Sequence, residues 1–260
     1  MKKLSAAGAV FTGFIAVTSV MGAAAPAAAQ MVAPPFDWAR CYGGAHVAYG
    51  WGNNGNDFNK AFASDPTEGE GFPAEFASLD HTTNGWGVGV QAGCNWQISP
   101  NWLIGVEGEF LWSGIKGQHT NPEDGADPGT FSRFKSENRW DADVALRIGY
   151  AWPHDLLYGK AGWDLGNFRY TEWHDDFPTT HACPGGGTCS VNFSKNRSGL
   201  LLGIGWEHAW GGNWTTKIEY DYAHFGSTNI PYPDGAASIH SFKVRDRKNI
   251  IQVGLNYYFP

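Results

Sequence analysis

The sequence predicts an all-β chain: an eight-stranded antiparallel up-and-down transmembrane β-barrel. Three observations lead there. Seven connections alternate between long and very short. Between them, apolar and polar residues alternate with the period of a strand, in which successive side chains point to opposite faces. Tryptophans stand at both ends of the apolar face. Short turns on one side and long loops on the other are the plan of a barrel inserted in an outer membrane.

The first element is a leader. Lys2 and Lys3 form a positive start, an apolar stretch runs from Leu4 to about Val20, and small residues lead to Ala27-Ala28-Ala29. That pattern predicts a cleaved secretory signal peptide over 1–29 and a barrel over 30–260. A retained membrane helix would need different flanks, and no later segment has the ~20 continuous apolar residues of a spanning helix.

The strands follow. Segment 86–98 sets Trp86, Val88, Val90, Ala92, Cys94, Trp96 and Ile98 against Gly87, Gly89, Gln91, Gly93, Asn95 and Gln97. After the turn Ser99-Pro100-Asn101, segment 102–114 opposes Trp102, Ile104, Val106, Phe110 and Trp112 to Gly105, Glu107, Glu109 and Ser113. Segment 140–152 opposes Trp140, Val144, Leu146, Ile148 and Trp152 to Asp141, Asp143, Arg147 and Gly149, and ends at Pro153-His154-Asp155. Leu200, Leu202, Ile204 and Trp206 oppose Gly203, Gly205 and Glu207, before the turn Gly211-Gly212-Asn213. Ile218, Tyr220 and Tyr222 oppose Lys217, Glu219 and Asp221; the last strand sets Ile251, Val253, Leu255, Tyr257 and Phe259 against Gln252, Gly254 and Asn256.

A soluble sandwich would also alternate, and the 15% aromatic content leaves that possible. It gives no reason for tryptophan at both edges. Trp96, Trp102, Trp152, Trp210 and Trp214 cluster at the short turns, whereas Trp51, Trp86, Trp112 and Trp140 flank the long loops. Two such rows match the interfacial girdles of a membrane barrel. The plan is therefore three short periplasmic turns and four long extracellular loops, the latter at roughly 53–82, 118–136, 174–197 and 231–245.

Eight strands leave an interior wide enough for side chains and too narrow for a large channel. The expected inward charges are Glu107, Glu109, Asp141, Asp143, Arg147, Lys160, Asp164, Glu207, Lys217, Glu219 and Asp221. Buried charges persist when paired or hydrogen-bonded, which predicts a salt-bridged plug. The competing expectation is a narrow cation-preferring pore, because acidic rings favour cations.

Four cysteines in an exported chain suggest disulfides. Cys41 and Cys94 are equally far from the ends of loop 53–82 and share the outward face, so they can bridge two strands near the periplasmic rim; the alternative is two lipid-facing thiols. Cys183 and Cys189 enclose Pro184-Gly185-Gly186-Gly187-Thr188, a short glycine-rich segment able to close on itself. Zinc-type spacing is absent, and no metal or cofactor is expected. Neither a G-x-S-x-G elbow, a phosphate-binding glycine loop nor H-E-x-x-H occurs, so no catalysis is expected. The acidic balance argues against nucleic acid as a partner. Loop 53–82 mixes six carboxylates with Phe58, Phe62, Phe72 and Phe76 and is the candidate for binding a surface ligand.

The runs Gly89-Val90-Gln91-Ala92-Gly93-Cys94-Asn95-Trp96, Gly105-Val106-Glu107-Gly108-Glu109, Arg147-Ile148-Gly149-Tyr150, Ile218-Glu219-Tyr220-Asp221-Tyr222 and the closing Val253-Gly254-Leu255-Asn256-Tyr257-Tyr258-Phe259 resemble the small "porin-family" outer-membrane barrels of alphaproteobacteria. The resemblance implies an OmpA-like barrel of a Gram-negative outer membrane, with a structural and surface-antigenic role. It also implies contact with outer-membrane lipid, lipopolysaccharide and the barrel-assembly machinery. Such barrels end on an aromatic residue, whereas here Pro260 follows Phe259. Histidines near the loops, such as His81, His119, His174, His181, His224 and His240, bring in the haem binding that the resemblance implies, and loop 53–82 adds the alternative of a loop-mediated adhesin or ligand binder.

Overall fold

The computed structural model describes residues 35–58, 81–122, 131–176, 187–233 and 239–260. The expected leader 1–29 lies outside them. Nine strands follow in chain order: β1 (Cys41–Phe58), β2 (His81–Gln97), β3 (Trp102–Ser113), β4 (Lys116–Pro122), β5 (Phe131–Ala151), β6 (Asp155–Asp176), β7 (Gly187–Gly211), β8 (Trp214–Pro233) and β9 (Ile239–Tyr258). Every pairing is antiparallel.

β3 and β4 are two lengths of one barrel strand. Both lie between β2 and β5, and the break between them falls at Gly114-Ile115. The break does not orphan the backbone: the Gly114 N–H donates to the Trp86 carbonyl, and the Asn138 N–H to that of Ile115. Ile115 turns inward over Gly50, where a β-carbon would overlap it. Taking β3 and β4 together, the sheet is a ring of eight, closed because β1 pairs with both β2 and β9. Below the level of the Leu200↔His224 pair closure leaves no sheet edge unpaired, the condition for crossing a bilayer with strands.

The short connections are 98–101, 152–154 and 212–213. In the last, Gly211 and Gly212 take φ of 117° and 62°, a left-handed backbone that only glycine enters without strain. At the other end the sequence reading needs correction. Parts of the segments read as loops are strand, with pairs reaching Phe58↔Phe242, Pro122↔Phe131, Asp176↔Gly187 and Pro233↔Ile239. Above the membrane both faces meet polar surroundings, so the apolar–polar alternation fades while the hydrogen-bond ladder continues. Only 59–80, 123–130, 177–186 and 234–238 remain between strands, outside the described residues.

The outer face is apolar. Val88, Leu146, Ile148, Trp163, Leu202 and Ile204 are all more than two-fifths exposed. At the turn end of this band stand Trp96, Trp102, Trp152, Trp210 and Trp214, and at the other Trp51, Trp86 and Trp112, all exposed, with Trp140 half-buried. Cys41 and Cys94 face each other in the β1–β2 register and form a disulfide near the turn-side rim, with Cα atoms 3.9 Å apart. Cys183 lies outside the described residues, as does the Cys189 side chain.

Gly162 stands opposite Ala145 of β5. A β-carbon there would overlap the Val144 carbonyl oxygen and crowd Ala145. Since the obstacle is backbone, Gly162→Val is expected to cost about 1–3 kcal/mol, measured as a fall in the denaturant midpoint of the folded barrel.

Candidate functional site: the barrel interior

Alternation places one residue in two inside the ring, and the sequence supplies charged or tyrosine side chains at many of those positions. The interior is built in tiers from the short turns upward.

The lowest tier is a lid. Residues 36–40 precede β1 and fold across the mouth towards the 152–154 turn. The Phe36 N–H donates to the Pro153 carbonyl (2.8 Å), and Trp38 Nε1 to that of Trp152 (3.1 Å). Trp38 is 4% exposed and packs with Tyr42, Leu103, Ala151, Leu156, Tyr158, Ala209 and Tyr258. Its ring meets Tyr258 edge-on at 5.7 Å. Arg40 donates to Asn213 Oδ1 (3.0 Å) and lies over the Phe36 and Tyr258 rings, joining the lid to the third turn.

Above it Arg147 of β5 crosses the lumen. Nη1 reaches Glu107 Oε2 of β3 (3.0 Å) and Nη2 reaches Glu207 Oε2 of β7 (3.3 Å). The guanidinium sits 3.7 Å from the centre of the Tyr158 ring. Tyr42 donates to the same Glu107 oxygen (2.5 Å), while Asn256 (2.8 Å) and the Thr215 hydroxyl donate to Glu207. Each carboxylate therefore has a cation and a neutral donor, the arrangement that offsets desolvation.

The third tier holds two lysines. Lys160 Nζ lies 2.7 Å from Glu219, 3.1 Å from Glu109 and 3.2 Å from Asp221. Lys217 pairs with Glu109 and lies 3.5 Å from Glu219. Tyr158 donates to Glu219 (2.5 Å), and Gln252 donates to Glu109 (3.0 Å) and Asp221 (3.2 Å). Oxygens of Glu107, Glu109 and Glu219 converge within 4.8 Å of one another, a spacing that could hold a cation. Two ammonium groups already stand against them and supply that positive charge.

Higher still, Lys248 of β9 pairs with Asp141 (2.5 Å) and Asp164 (3.2 Å). Arg197 pairs with Asp246 and donates to the carbonyls of Phe225 (3.1 Å) and Gly226 (3.0 Å). Phe134, Phe168, Tyr170 and Phe225 pack around them.

The interior set named from the sequence thus falls into groups. Arg147 gathers Glu107 and Glu207; Lys160 and Lys217 gather Glu109, Glu219 and Asp221; Asp141 and Asp164 go to Lys248. Asp143 is half-buried and has no ion pair among the described residues. In the register it stands directly opposite Glu109 on one side and Asp164 on the other, a like-charged row of the kind that weakens a sheet. Sequence reasoning missed the cross-lumen tyrosines Tyr42 and Tyr158, the upper ion pairs of Arg197 and Lys248, and the lid. Parity was a signal for the tyrosines, which alternate with outward neighbours. Arg197 lay in a stretch read as loop. The acidic and phenylalanine-rich part of 53–82 lies outside the described residues.

Comparison with known proteins gives concordant matches. Residues 15–259 match the family described as outer membrane protein beta-barrel domain. The chain is 30% identical over 237 residues to the 31 kDa outer-membrane immunogenic protein of Brucella melitensis, spanning 90% of this chain and 88% of that one. It is 27% identical over 180 residues to the 22 kDa outer membrane protein of Rhizobium leguminosarum, 69% of each chain. Among solved structures, the outer membrane protein OprG of Pseudomonas aeruginosa aligns with a TM-score of 0.47 and 10% identity, over 85% of this chain and 97% of that one.

Proposed function

The chain belongs to the outer membrane protein β-barrel family and resides in the outer membrane of a Gram-negative bacterium, and from that premise we propose that it is a sealed structural barrel. Its work on this reading is to occupy the membrane and to hold the segments between its strands at the cell surface. The observation that carries the reading is the unbroken series of cross-lumen ion pairs. The side chains of Arg147, Glu107, Glu207, Lys160, Lys217 and Glu219 each have 0% exposure, so no water-wide path runs beside them. The Trp38 lid adds a second, apolar closure beneath. The buried carboxylates are engaged by lysine and arginine, and the proposal assigns them no catalysis.

The test is single-channel recording of the folded protein in a planar bilayer. The expected result is silence, with heat-modifiable gel migration showing that the barrel has folded, and with Glu107→Gln plus Glu219→Gln changing stability while leaving the bilayer silent. Reproducible cation-selective openings whose selectivity shifts in that double variant would overturn the sealed reading. One observation favours that pore: in the central tiers six carboxylates (Glu107, Glu109, Asp143, Glu207, Glu219, Asp221) face three cations (Arg147, Lys160, Lys217), leaving an acidic lumen if it opens.

A further inference from the structure

The outer surface changes character just above the Trp112–Trp140 pair. These tryptophans face each other across β3 and β5 and mark headgroup level on that side of the barrel. The next outward positions are cationic. Lys116 on β4 and Arg169 on β6 both stand opposite Glu137 of β5 in the register, so three outward side chains occupy adjacent strands about 4.8 Å apart. Their inward neighbours Ile115, Asn138, Phe168 and Tyr170 are buried, which fixes the outward direction of the alternating set.

A β-bulge adds one more charge. The β5–β6 register shifts between Asn138 and Trp140, leaving Arg139 without a ladder partner and exposed immediately beside the interfacial tryptophan. Bulges re-aim a side chain in this way. Glu137, the carboxylate of this patch, is taken by Lys135 at 2.5 Å. Lys116, Arg139 and Arg169 have no ion pair among the described residues. Three cations thus gather on one flank of a chain whose formal net charge is −7.

We propose that Lys116, Arg139 and Arg169 form a docking site for the phosphorylated headgroup of an outer-leaflet lipid. The chemistry is that of a multiply charged anion held at the membrane surface. Guanidinium groups bind phosphate in a bidentate fashion, lysine supplies a point charge, and the acyl chains lie along the apolar strand face below Trp112 and Trp140. A free soluble anion would gain nothing from that apolar face, whereas a phospholipid or glycolipid uses both. The site is on the outside of the barrel and does not depend on whether the lumen conducts.

The experiment titrates the folded protein in neutral detergent with bisphosphorylated lipid A and with the same lipid after dephosphorylation, reading bound lipid by native mass spectrometry. Binding is expected to need the phosphates and to weaken about 150-fold in Lys116→Gln/Arg139→Gln/Arg169→Gln, from roughly 1 kcal/mol per surface cation. Glu137→Gln, which releases Lys135, should bind at least as tightly as the parent. Arg247→Gln, which removes an exposed cation of β9 across the ring from β5, should bind as the parent does. If the triple variant does not fold, Arg139→Gln alone should weaken binding about fivefold. Equal binding by the folded triple or Arg139→Gln variant, equal binding of dephosphorylated lipid, or an equal loss in Arg247→Gln would overturn the proposal.

Discussion

Replacing Arg147 by leucine is expected to destabilise the barrel by about 3–5 kcal/mol, the cost of removing one partner from a buried ion pair. The residue serves two carboxylates, Glu107 and Glu207, both fully enclosed, and covers the Tyr158 ring. With it gone, Glu207 is left with neutral donors such as Thr215 and Asn256, and Glu107 with Tyr42 and the more distant Lys217 (3.9 Å) and Lys160 (4.0 Å). The midpoint of guanidinium unfolding in micelles, or the temperature at which the folded band is lost on a gel, reads the change. Adding Glu107→Gln and Glu207→Gln should recover most of the loss, because the orphaned charges go with the cation. A loss that persists in the triple variant would mean that packing on Tyr158, rather than charge, holds this tier.

The second large effect is expected at the lid. Trp38→Ala removes a nearly buried indole and should cost about 3–5 kcal/mol. It also frees the Trp152 carbonyl and takes away the edge-on contact with Tyr258. Trp38→Phe keeps most of the apolar surface and should recover the larger part. The same unfolding midpoint checks both. A change below about 1 kcal/mol, the size of a surface substitution, would show that residues 36–40 do not stay docked in the mouth.

The fold was legible because the bilayer writes it twice, once as alternation and once as the tryptophans that bound it. Arg147 and Glu219 announce an interior because an apolar residue flanks each on both sides. Those same rules fail where the bilayer stops. β4, the start of β5 and the paired ends of β6 and β7 carry no alternation that distinguishes them from loops, yet backbone pairing carries them on. Arg139 is a second kind of failure. A single inserted residue reverses parity along β5, so everything before it faces opposite to what counting from Trp140 predicts. Trp38 is a third, since one aromatic before a strand has no period to betray its direction. The partner of each charge was legible only as a class, because it depends on which strands lie across the ring and at what height.

The bridge between Cys41 and Cys94 has a consequence for how the cylinder can come apart. It ties β1 to β2, whereas the opposite edge of β1 meets β9 through main-chain bonds. Among the described residues, every other seam of the ring is likewise stitched without a covalent link. The opening hairpin can therefore be welded while the later strands are still being threaded. Tension on the finished cylinder would unzip it along an uncrosslinked seam and leave the first two staves joined.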